Sequence, residues 1–126
     1  MKGRKILIVD DEKEICFLLS ALLKHMGYST DQAFSIEEAM AKLKKQSYDL
    51  FFLDLNLPDG LGYHLAPVIK KYCKNARIVM ISAHDGMLKQ IQSEVDGIDH
   101  FIDKPFNKEK INEALIKLNM YNYSSG

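Results

Sequence analysis

Net charge is the first thing this sequence lacks. Its seventeen basic and seventeen acidic residues cancel over 126 positions. A neutral chain has no electrostatic footprint for nucleic acid or an anionic membrane surface. Long apolar runs are missing too. Those present, such as residues 6–9 and 50–53, are strand-sized, well short of the roughly 20 residues that span a bilayer. The N-terminus shows no charged, apolar and small-residue succession of a secretory signal. Cysteine is scarce: Cys16 and Cys73 form neither a disulfide framework nor metal-ligand spacing, and read as thiols in a reducing cytosol. His25, His64, His84 and His100 are not spaced as zinc ligands. What is present is an ordinary globular mix, 47% hydrophobic and 27% charged, enough to bury a core in one cytoplasmic domain. That domain is expected over residues 1–121, followed by a disordered tail over residues 122–126.

Short apolar runs alternate with helical stripes. Lys5–Val9 (KILIV), Ser29–Ala33, and residues 50–53, 77–82 and 100–103 read as five strands. Between and after them, apolar residues recur at helical spacing: Ile15, Leu18, Leu19, Leu22, Leu23 and Met26; Ile36, Ala39, Met40 and Leu43; Leu65, Val68, Ile69 and Tyr72; Leu88, Ile91 and Val95; Ile111, Leu115 and Leu118. Gly27 and Gly97 supply C-terminal stops, and Ser35 with Glu38 forms a capping box. Pro67 is compatible with a helix only in its first turn, which places that helix start near His64. Five strands alternating with five helices predict an α/β fold: a doubly wound, five-stranded parallel sheet of flavodoxin-like type with right-handed crossovers. The near-continuous apolar strands agree with helices covering both faces.

The polar residues fall where such a sheet binds ligands. Asp10 and Asp11 follow strand one, Asp54 ends strand three, Ser82 ends strand four and Lys104 follows strand five. If the strand order is 2-1-3-4-5, the order reverses between strands one and three, and ligands bind at the carboxyl ends there. Three carboxylates at close range repel one another, and at least one should have a raised pKa. A hard divalent cation, Mg²⁺ or Mn²⁺, relieves the conflict. With Lys104 included, the formal charges then balance. A carboxylate so placed can be a nucleophile that forms an aspartyl phosphate, stabilised by positioned charges.

The segments KILIVDDE (residues 5–12), LDLNLPDG (53–60), VMISAH (79–84) and HFIDKPF (100–106) make the chain resemble a response regulator receiver domain. The likeness runs from about Lys5 to Leu118. It implies that Asp54 is the phosphoacceptor. Asp10, Asp11 and the backbone carbonyl of Asn56 would hold Mg²⁺ beside it. The Ser82 hydroxyl and the Lys104 ammonium would bond the phosphoryl group. Phe101 falls at the aromatic switch position, lacking the hydroxyl of the tyrosine often found there; taken alone, it reads as a core residue. Asn56 and His84, each two residues beyond a phosphate-contacting position, would tune the phosphate lifetime. Leu61 stands before Gly62 where the family commonly has a polar residue, so a more apolar loop is expected. The resemblance further implies a phosphohistidine donor on a sensor histidine kinase or phosphotransfer protein. It also implies a protein target at the face of helix four, strand five and helix five, near Ile91, Phe101 and Lys110. The function expected is signalling rather than enzymatic turnover. The alternative is a metal-dependent phosphatase or phosphotransferase working through an aspartyl phosphate.

Overall fold

The computed structural model describes residues 4–83 and 96–120. In chain order the elements are β1 (Lys5–Val9), α1 (Lys13–His25), β2 (Ser29–Ala33), α2 (Ile36–Lys45), β3 (Leu50–Asp54), β4 (Asn56–Leu57), β5 (Gly60–Leu61), α3 (Leu65–Tyr72), β6 (Arg77–Ala83), β7 (His100–Lys104) and α4 (Lys108–Lys117). The main sheet is wholly parallel in the order β2-β1-β3-β6-β7. Counting only its own strands, that is the 2-1-3-4-5 order expected. Four α-helices lie among the described residues. The helix marked by Leu88, Ile91 and Val95 lies outside them, as do His84 and the tail over residues 122–126.

Successive strand residues point to opposite faces, and the core divides accordingly. Leu7, Val9, Phe51, Leu53, Ile78 and Met80 pack with Ala39, Leu43, Leu65 and Ile69 of α2 and α3. Ile6, Ile8, Leu50, Phe52, Val79 and Ile81 pack with Cys16, Leu19, Leu23, Ile111 and Leu115 of α1 and α4. β3 is buried at every residue, because it lies mid-sheet with both faces covered. The α1 stripe is narrower than its leucines suggest. Cys16, Leu19, Ser20 and Leu23 face inward, while Leu18 is 48% exposed.

Local chemistry sets the helix ends. Ser35 Oγ accepts from Glu38 N at 3.1 Å, the first bond of the capping box expected, while Glu38 Oε1 reaches one residue further back and accepts from Phe34 N at 3.0 Å. Asp59, from the loop after β3, adds to it by accepting from Ile36 N and Glu37 N at 2.9 and 3.0 Å. Gly27 has φ 97°, the left-handed conformation that favours glycine after a helix. A 3₁₀ turn, Gly62–His64, leads into α3, so Pro67 falls in the first turn. Asn107 caps α4 by accepting from Lys110 N at 2.9 Å. The buried Tyr28 hydroxyl donates to the Met120 carbonyl, tying the chain after α4 to the start of β2. Cys16 and Cys73 are buried free thiols. No helix among the described residues is long and apolar enough to cross a membrane.

Candidate functional site

The parallel register gathers the polar residues at one edge. Asp54 pairs with Ile81, Ser82 with Asp103 and Ala83 with Lys104. Asp54, Ser82 and Lys104 therefore emerge from neighbouring strands at their carboxyl ends, beside the loop that carries Asp10. Just after Asp54 the chain doubles back in an antiparallel hairpin, Asn56 opposite Leu61 and Leu57 opposite Gly60. This hairpin was not legible in the sequence, where the segment read as a loop. Gly62 closes it: its N–H donates to the Leu55 carbonyl at 2.7 Å. A Cβ built on Gly62 would lie 2.0 Å from the Asp54 carbonyl oxygen, so the backbone approach behind Asp54 admits only glycine. Leu61 is the apolar loop residue expected. It packs on the core beneath α2 and α3, as does the buried Leu57.

Asp10 is 1% exposed. Its Oδ1 accepts from Glu12 N at 2.9 Å, and this aspartate-stabilised turn carries Glu12 back over the site. Cys16 Sγ donates to the Asp10 carbonyl at 3.2 Å. The carboxylates of Asp10, Glu12 and Asp54 offer oxygens that all lie within 4.8 Å of one another. Asp11 is exposed and lies outside that trio. Lys104 completes the site, with Nζ 2.8 Å from Glu12 Oε1, 2.9 Å from Asp10 Oδ2 and 3.5 Å from Asp54 Oδ1. The Lys104–Pro105 peptide that follows is cis.

Four groups here are displaced, each for a physical reason. Burial raises the Asp54 carboxyl to about 6, the Asp10 charge pushes the same way, and Lys104 opposes them without prevailing. Burial also raises Asp10, against the Glu12 amide and Lys104. Burial disfavours the Lys104 ammonium. Its hydrogen bond to Glu12 and the neighbouring charges of Asp10 and Asp54 outweigh that, so its pKa rises and it stays charged. The Cys16 thiol is pushed up to about 12, first by burial and then by the Asp10 charge, which keeps it an inert thiol.

The structure thus brings together Asp10, Asp54 and Lys104 of the expected residues, and adds Glu12. Ser82 is fully buried one residue beyond Asp54's register partner, its hydroxyl donating to the Ala83 carbonyl at 3.2 Å. Asn56 is exposed at the start of β4. Phe101 is half-buried on β7 and packs on the α2–α3 side of the core. His84 lies outside the described residues. Glu12 had one sequence signal, its place directly after the acidic pair. Its pairing with a lysine 92 residues away leaves no trace in local spacing.

Asp10 Oδ2 tests whether a cation fits. It is buried and, among the described residues, accepts no hydrogen bond; Lys104 faces it as an ion pair at 2.9 Å. A buried carboxylate oxygen that accepts no hydrogen bond, facing two further carboxylates, is a donor set suited to a hard divalent cation.

The family model for the response regulator receiver domain matches residues 6–116. The chain is a response regulator receiver domain. It is 34% identical over 119 residues to sporulation initiation phosphotransferase F of Bacillus subtilis, covering 93% of this chain and 94% of that protein. It is 40% identical to the sensory transduction protein LytR of Staphylococcus haemolyticus over 90% of this chain. The receiver spans only 44% of LytR's length. Among solved structures it resembles the response regulator TrrA of Thermotoga maritima in complex with Mg²⁺-BeF. The identity is 35% and the TM-score 0.78, covering 94% of this chain and 99% of that one. As a receiver, the domain is a phosphoacceptor of two-component signalling, in which receivers interact with histidine kinases or phosphotransfer proteins.

Proposed function

We propose that Asp54 is the residue that accepts the phosphoryl group, transferred from a phosphohistidine of a sensor kinase or phosphotransfer protein in the cytoplasm. The observation that carries this reading is Asp54 itself. It is a buried carboxylate at the switch point of the sheet, raised to about 6 and 3.5 Å from a lysine. A carboxylate so placed is ionised at neutral pH yet more basic than usual, which favours it as a nucleophile. Lys104 and the Ser82 hydroxyl would bond the phosphoryl oxygens. Asp10, Asp11, Asp54 and the Asn56 carbonyl would hold Mg²⁺ or Mn²⁺, which when bound neutralises charge on the transferred group.

Phosphorylation replaces one negative charge on Asp54 with about two. Drawing Ser82 toward that charge moves the end of β6, and the half-buried Phe101 on the adjoining β7 repacks. A ring with two packed positions is the bistable element a switch requires. Phe101 borders a groove of about 330 Å³ between β7 and α4, lined also by His100, Lys110, Glu113 and Lys117. A protein target would read that face; Ile91, also expected there, lies outside the described residues. The domain would catalyse only its own phosphorylation and dephosphorylation, with Asn56 and His84 tuning the phosphate lifetime. The phosphatase alternative gains nothing from the family match. Incubation with phosphoramidate and Mg²⁺ should add one phosphoryl mass to the wild type and none to Asp54→Asn or to wild type in chelator. A full mass gain in Asp54→Asn would overturn the assignment.

A further inference from the structure

Lys104 is shared among three carboxylates, Glu12, Asp10 at 2.9 Å and Asp54. Its closest partner is Glu12, at 2.8 Å through a formed hydrogen bond, whereas Asp54 is 3.5 Å away. Asp10 is buried and stays with the site whatever its state. Glu12 is 59% exposed at its side chain and returns to water readily when released. The Asp10 turn holds its backbone beside the site, so its exposed carboxylate reaches Lys104 while also lying near Asp10 and Asp54.

We propose that Glu12 is a latch on Lys104, a positioning residue that holds the ammonium in the unphosphorylated domain and releases it when Lys104 bonds the phosphoryl group. This rests on the phosphoacceptor reading of Asp54 and deepens it. The latch stabilises the resting state alone, so it opposes phosphorylation. An ion pair with one exposed partner biases such an equilibrium by roughly two- to fivefold. Glu12 therefore sets how readily the switch turns on without touching the reacting atoms.

The test is a double-mutant cycle on beryllofluoride binding at saturating Mg²⁺, with Glu12→Gln, Lys104→Ala and the pair. Glu12→Gln should bind beryllofluoride about two- to fivefold more tightly than wild type, and the gain should shrink in the Lys104→Ala background. Thermal unfolding gives the second readout: Glu12 and Lys104 should be coupled without the mimic and uncoupled with it bound. Should Lys104→Ala bind no beryllofluoride, Glu12→Asp replaces it. That variant keeps the charge and loses a methylene of reach, so it should also bind more tightly, and wild-type affinity in it would overturn the latch. Equal gains in both lysine backgrounds would show that Glu12 acts through its general field instead. A tenfold loss of Mg²⁺ affinity in Glu12→Gln, with no gain for beryllofluoride, would place Glu12 on the metal and overturn the latch. Wild type failing to bind beryllofluoride at all would sink the phosphoacceptor reading and the latch together. Normal wild-type binding with no change in Glu12→Gln would sink the latch alone.

Discussion

Replacing Asp54 with asparagine should stabilise the metal-free domain while abolishing its function. The Asp54 carboxyl is raised from the ordinary 3.8 to about 6, by burial first and by the Asp10 charge second. Its native state therefore holds the proton more tightly than the unfolded chain does. The sign follows from linkage: stability falls as pH rises from about 4 to about 6 and stays depressed above that. A displacement of that size corresponds to about 3 kcal/mol, and sharing of charge with Asp10 makes 1–3 kcal/mol about the range to expect. Asparagine keeps the shape without the charge. For a chain of this length, that range is a rise in Tm of roughly 5–10 °C at pH 7.5. The assay is thermal unfolding by circular dichroism in chelator, wild type against Asp54→Asn, from pH 4.5 to 8. The gap should be widest above pH 6 and close as Asp54 takes up its proton. Mg²⁺ should raise the wild-type Tm and narrow the gap, because the cation relieves the same repulsion. An asparagine variant no more stable than wild type at pH 7.5 in chelator would refute the reasoning.

Three further outcomes are expected. Asp11→Ala should weaken Mg²⁺ binding by calorimetry at least tenfold and nearly abolish phosphorylation, while leaving the fold intact because Asp11 is exposed; unchanged affinity would remove Asp11 from the metal. Gly62→Ala should destabilise the domain by more than about 2 kcal/mol in urea unfolding, since its Cβ would meet the Asp54 carbonyl at 2.0 Å; a neutral effect would contradict the close approach. Asp59→Ala should lower the urea midpoint by loss of the two α2 amide bonds, with phosphorylation at Asp54 unchanged; a loss of phosphorylation would show that the loop needs Asp59 for more than the cap.

The strands were legible because burial on both faces demands continuous apolar runs: residues 6–9, 50–53 and 78–81 are β-branched, aliphatic or aromatic throughout. Their polar ends were legible for the converse reason, since charge at the end of such a run must be solvated or used. The raised Asp54 carboxyl followed from counting carboxylates, although burial outranks repulsion as its cause. Less was visible wherever the partner is distant. The β4–β5 hairpin has two residues per strand, too few for any periodicity to register. Asp59 caps α2 from across 22 positions, and Glu12 reaches Lys104 across 92. Leu18 counted toward the α1 stripe by spacing, yet only the tertiary packing decides which edge of a stripe is covered, and Leu18 falls outside it.

An acyl phosphate on Asp54 can be trapped chemically. Borohydride reduces an aspartyl phosphate to homoserine and leaves phosphoserine and free carboxylates untouched. The domain is loaded with phosphoramidate and Mg²⁺, reduced, digested and sequenced by mass spectrometry. Homoserine is expected at position 54 and at no other aspartate. Homoserine at position 10 or 11, or a stable phosphate on Ser82 with Asp54 unmodified, would contradict it.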